Sequence, residues 1–303
     1  MSVATDRAAW LRRDSERISG ALPPLLVQAE RLVATTFHGV HGRRQSGPGE
    51  TFWQYRTAQP GDALSQIDWR RSARSDRLFI REMEWEAAET VMIWADRARS
   101  MQFASQYARA GREGRVTKAD RGSLLTLALS VLLSRGGERF GLVGTDAERP
   151  RTGERQIERM AAILSAAPDE TAPEYGAPAA FEMPRAGRAV FLSDFMGPRD
   201  DVFPALKRAA GRGISGVFVQ ILDPVEEDFP FTGRTLFQSV GGGLDHETDE
   251  AAALQKRYRE RLAERRDALA AQARASGWQL LLHRTDESPR KPLLQLHAWL
   301  GGT

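Results

Sequence analysis

The stretch AVFLSD, Ala189–Asp194, is apolar until it meets a serine and an acid. A strand with one wet face alternates apolar and polar residues, whereas a strand covered on both faces reads as a continuous apolar run, as in parallel sheets. The same shape recurs in TVMIWAD, Thr90–Asp96, and GVFVQILD, Gly216–Asp223, and each of these also ends on aspartate. RFGLVGTD from Arg139 and WQLLLHRTD from Trp278 read as two more strands. Helical stretches fall between them: DRGSLLTLALSVLLSRGG, capped by Asp120, then GERQIERMAAILSAA, DDVFPALKRAAGRG and a long helix over Glu250–Ala275. This alternation predicts a doubly wound, mainly parallel α/β sheet of Rossmann-like type.

Working outward, residues 87–303 form this α/β domain. Residues 1–36 read as an N-terminal helical segment, with PPLLVQAERLVATTF opening on prolines and carrying apolar residues at helical spacing. Residues 37–86 read as a small β-rich unit: strands TFWQYRTA and RLFIREMEWE are joined by QPGDALSQIDWRRSARSD, which opens on a Pro-Gly-Asp turn. The 303-residue chain has no cysteine, which excludes disulfides, thiolate metal sites and thiol nucleophiles. Its longest apolar run, SLLTLALSVLLS, is far short of the ~20 residues a membrane helix needs. With a polar start and no signal core, the expectation is a cytoplasmic protein. The net charge of +3 comes from acids and bases that alternate almost everywhere, so no basic stripe argues for nucleic acid.

Ligands of such sheets bind beyond the carboxyl ends of the strands. Asp96, Asp194 and Asp223 end strands there, and Asp146 follows a fourth. Singly, each is explained as a cap on the next turn or helix. Gathered at one rim, they need a cationic answer. The loop PGDALSQIDWRRSAR supports two readings. Trp69, Arg70 and Arg71 have the composition of an interface hot spot. Alternatively, Asp62 and Asp68 cap turns and pair with Arg74 or Arg56, as a structural clamp.

The segment TVMIWADRARSM resembles the first strand and loop of von Willebrand factor A domains, whose Asp-x-Ser-x-Ser pattern forms a metal-ion-dependent adhesion site. On that resemblance Asp96 matches the aspartate, Ser100 the second serine, Thr152 the threonine of a second loop, and Asp194 the later aspartate, with Ala98 replacing the first serine. Gly61-Asp62, Ile67-Asp68-Trp69, Ser72-Ala73-Arg74 and Arg81-Glu82, in that order before the domain, are similar to the signature of domain-of-unknown-function family fifty-eight. The resemblance implies an α/β domain of A type and a partnership with a MoxR-type AAA ATPase.

For the pocket three states stay open. Mg2+ or Mn2+ is retained on Asp96, Ser100, Thr152 and Asp194, weakened because Ala98 removes a hard oxygen ligand. Or Arg97 or Arg99 stands in for the ion and offers donors to an acidic partner. Or both arginines face solvent and the pocket is vestigial. The functional expectation is a non-catalytic protein-binding adaptor whose partner carries acidic groups. The alternative is a metal-dependent phosphohydrolase using the clustered aspartates.

Overall fold

The computed structural model describes residues 23–37, 52–59, 67–75, 77–83, 89–108, 115–181, 187–210, 214–239 and 245–301. The chain divides into two compact units, Val40–Ala88 and a larger one formed by Met1–Gly39 with Glu89–Thr303. The N-terminal helix thus belongs to the larger unit.

In the larger unit the elements are α1 (Pro24–Thr36), β3 (Thr90–Ala95), α3 (Lys118–Arg135), β4 (Arg139–Leu142), α4 (Glu154–Leu164), β5 (Arg188–Ser193), α5 (Arg199–Ala210), β6 (Ser215–Leu222), α6 (Pro224–Asp228), β7 (Thr235–Gln238), β8 (Asp245–Thr248), α7 (Ala252–Ala275), β9 (Gln279–Arg284) and α8 (Arg290–Gly301). Five strands make one parallel sheet in the order β4-β3-β5-β6-β9. The winding direction reverses between β3 and β5, the point at which open α/β sheets leave a crevice for ligands.

Alternate side chains of each strand point to opposite faces, and both faces are covered. Val91 and Ile93 of β3 pack with Val190, Leu192, Val217 and Val219 under α1, α3, α4 and α8. Met92 and Trp94 pack with Phe191 and Phe218 on the other face, under α5 and α7. That is why these strands read as unbroken apolar runs. Helix α3 lies in the middle of the first face and buries residues all round its circumference, Lys118 and Arg121 included. It starts three residues earlier than the sequence suggested. Thr117 is the cap, and Asp120 completes a capping box by accepting from the Thr117 N–H. No described helix is long and apolar enough to cross a membrane.

In the smaller unit, β1 (Phe52–Thr57) pairs antiparallel with β2 (Phe79–Met83), and α2 (Trp69–Ser72) is one short turn between them.

Candidate functional site

The rim at the reversal point is built from the ends of β3, β5 and β6. Asp96, Asp194 and Asp223 are all buried there, at 4, 1 and 0 % exposure. The Asp96 N–H donates to Leu192 O, which zips the ends of β3 and β5 together. The Asp96 carboxylate is fully engaged inside the protein: Oδ1 accepts from the Ala98 N–H at 2.9 Å, and Oδ2 from the Ser193 hydroxyl at 2.6 Å. Burial, only partly offset by these bonds, pushes its pKa up to about 6. A loop covers it. The N–H groups of Arg99 and Ser100 donate to Pro173 O and Glu174 O, and Gly176 then lies so close to the Asp96 carboxylate that no Cβ would fit. Glycine is required here for close approach rather than for its backbone angles.

Among the described residues, a lysine from a distant helix supplies positive charge at this rim. Lys118, at the first turn of α3, reaches in with 1 % exposure. Its Nζ donates to Asp194 Oδ2 at 2.9 Å and to Glu226 Oε1 at 2.5 Å. Burial alone would lower its pKa, but the two carboxylates outweigh that and hold the ammonium charged. Burial raises the pKa of Glu226, partly countered by Lys118. The remaining carboxylate oxygens are used locally. Asp194 Oδ1 accepts from Met196 N–H, and Glu226 Oε2 accepts from Asp223 N–H in the capping box of α6. The chain passes through a left-handed conformation at Phe195, with φ of 52°. Such backbone persists only where its surroundings over-determine it. Here Arg265 holds it by donating to Phe195 O and Gly197 O.

This geometry sorts the expected site residues. Asp96, Ser100 and Asp194 do meet at one rim, but Thr152 does not join them. Arg151 bridges Phe140 antiparallel, so Thr152 runs toward the amino end of β4. Phe140 is level with Val91, and Asp96 is five residues further on, which at about 3.3 Å per residue is about 16 Å. Thr152 is exposed there. Arg97 does not replace the ion. Its guanidinium caps the carboxyl end of α4, donating to Ile163 O at 2.5 Å and Ala166 O at 2.7 Å. Arg99 opens a 3-10 turn over Arg99–Gln102 beneath the cover loop, and the position beside Asp194 belongs to Lys118. Asp223 caps α6 and accepts from the Ser105 N–H, while Asp146 lies exposed in a turn.

A divalent cation does not fit this arrangement. It wants a near-complete shell of oxygens. Instead, Asp96 is sealed beneath Gly176, Thr152 is remote, Ala98 has no oxygen to give, and an ammonium stands on Asp194. Among the described residues no three Asp, Glu or His side chains are grouped to hold a metal. Lysine suits the role because its ammonium is a compact charge with radially disposed donors, unlike the planar guanidinium fork. It was missed at the sequence level because it lies 76 residues before Asp194. The available signal was a lone lysine at the start of a helix apolar on every side.

Beside this cluster opens a groove of about 790 Å3, whose lining includes Ser100, Tyr107, Tyr175, Asp194, Glu226 and Phe237. Phe229, Phe231 and Phe237 form one aromatic group at its wall, with centroids 5.2–5.5 Å apart. Tyr258 of α7 braces the floor by donating to Glu226 O at 2.6 Å.

In the smaller unit, Asp68 ties α2 to β1. Its Oδ1 accepts from the Arg71 N–H as the cap of α2, and its Oδ2 accepts from the Tyr55 hydroxyl at 3.1 Å. Arg71 lies over the Tyr55 ring at 4.1 Å. Arg70, Arg71 and Arg74 line a concavity of about 490 Å3 with Tyr55 and Asp68. Trp69 is 59 % exposed, available for contact rather than core. Asp62 lies outside the described residues.

Residues 54–268 match the family model described as protein of unknown function DUF58. The uncharacterized protein Rv1480 of Mycobacterium tuberculosis is 27 % identical over 284 residues, covering 90 % of this chain and 86 % of the relative. The uncharacterized protein Mb1516 of Mycobacterium bovis matches to the same extent. No solved structure matches the chain.

Proposed function

Since the chain belongs to the DUF58 family, we propose that it is a non-catalytic protein-binding adaptor built on a von Willebrand A-like domain. Its binding face is the carboxyl rim of the parallel sheet, a modified adhesion site in which the cation is built in. The observation that carries this reading is the Lys118 ammonium, held between Asp194 and Glu226. An adhesion site needs positive charge among its acids to stay folded and shaped. A covalently attached charge keeps that shape at any metal concentration. The reading sets the protein in the cytoplasm, beside the MoxR-type AAA ATPase that the family resemblance implies as partner.

Calorimetric titration with Mg2+ and Mn2+ tests the built-in charge. The expectation is no specific uptake by the native chain. Specific micromolar binding that an Asp194→Ala variant abolishes would overturn it. Affinity capture of host proteins, with and without chelator, tests the adaptor role. A specific partner retained equally in both is expected, and an ATPase of that type is the first candidate to look for. Hydrolysis of generic phosphoesters that chelator abolishes would favour the phosphohydrolase instead.

A further inference from the structure

The groove beside Lys118 is lined by charge of one sign. Glu174, Asp194 and Glu226 line it, and among the described residues no lysine or arginine does, although basic residues outnumber acidic ones by 43 to 40 in the chain. Lys118 lies beneath, already shared between Asp194 and Glu226. Two carboxylates against one ammonium leave the floor one negative charge in excess, and Glu174 adds another at the side. A metal-bearing adhesion site would invite a carboxylate. This floor repels one.

A second, independent feature points to an occupant. Ser100 is only 6 % exposed, lines the groove, and its hydroxyl oxygen has no hydrogen-bond partner among the described residues. Buried hydroxyls are ordinarily satisfied, so Ser100, which can accept as well as donate, has capacity left for a ligand's donor. The walls supply the remainder. Tyr107, Tyr175 and Leu236 keep 55, 38 and 54 % of their surface exposed at the groove, and Phe231 and Phe237 meet edge to face nearby. Aromatic faces attract cations, and the guanidinium stacks on them as well as donating in the plane. The volume is that of a site for a short segment rather than a single side chain.

Granting the protein-binding reading above, we propose that the groove receives an arginine or lysine side chain of a partner protein, presented between apolar neighbours. The head group donates to Ser100 Oγ and to the spare lone pairs of Asp194 and Glu226, and the flanking residues lie against Tyr107, Tyr175 and Leu236. This reverses the sign of partner expected from the metal-site resemblance.

The probe is a set of capped pentapeptides with apolar flanks and a central Arg, Lys, Gln or Glu, titrated by fluorescence anisotropy against the full chain. Arg and Lys peptides are expected to bind at least ten-fold more tightly than the Glu peptide, with affinity falling as salt rises. Tyr107→Ala with Leu236→Ala, both at exposed positions, is expected to weaken the Arg peptide at least ten-fold while leaving the thermal melt unchanged. Equal or tighter binding of the Glu peptide, or indifference to the double variant, overturns the inference. A host partner captured equally by the double variant also overturns it and leaves the adaptor reading standing. Arg-peptide binding with no host partner captured supports the groove's chemistry and counts against the adaptor reading alone.

Discussion

Replacing Lys118 by methionine keeps most of the volume and removes the charge. Asp194, with its side chain 2 % exposed, and Glu226, at 22 %, then face each other without a counter-ion. At an effective dielectric of ~20, the lost attraction to Asp194 over 2.9 Å is roughly 6 kcal/mol. Relief from burying the ammonium, several kcal/mol, offsets part of it. The folded chain also has an escape, because the Glu226 carboxyl, which burial already pushes upward and Lys118 holds down, can take up a proton once the lysine is gone. At pH 7 that costs about 4 kcal/mol for an ordinary carboxyl. The expected loss of stability is therefore about 3–5 kcal/mol, or a melting point lower by roughly 10 °C. The loss should shrink as pH falls toward 4, where protonation becomes easy. Thermal melts of Lys118→Met, Asp194→Asn and the double variant form a cycle, with an expected coupling of at least about 2 kcal/mol. Asp194→Asn alone leaves Lys118 with Glu226 and should be the milder single change. A Lys118→Met protein melting within about 2 °C of the native one, or strictly additive singles, would refute the built-in cation.

His283 is buried and accepts at Nε2 from Arg121, and burial with that guanidinium pushes its pKa down to about 3. The unfolded chain binds a proton near pH 6.5 and the folded one does not. Stability is thus fully present above pH 6.5 and falls, by up to about 5 kcal/mol, as pH drops toward 3; His283→Gln should flatten that slope relative to the native chain in acid denaturation. Gly176→Ala forces a Cβ into the Asp96 carboxylate and should displace the cover loop, seen as faster amide exchange at Arg99 and Ser100; unchanged exchange counts against a sealed Asp96. Asp68→Ala removes the cap of α2 and the acceptor of Tyr55, with an expected loss of about 1 kcal/mol, read from amide exchange within Val40–Ala88. No change there would leave the loop free for partner contact alone.

The amino-acid order alone determined the layering of this protein. Strand character lies in short apolar runs such as Ala189–Ser193, and helix ends in caps a few residues away. These are local signals, and parallel strands covered on both faces display them openly. The placing of Asp96 and Asp194 at strand ends was legible for the same reason. Only the tertiary structure decided what answers their charge. Strand order set β3 beside β5, the rotation of α3 aimed Lys118 between Asp194 and Glu226, and the path after β4 carried Thr152 to the other end of the sheet. Arg97 looked like the local counter-ion because it adjoins Asp96 in the chain. Neighbours along an extended segment diverge in space, however, and its guanidinium found the free carbonyls of α4 instead. Pairings across many tens of residues depend on packing between elements, which short-range pattern does not encode.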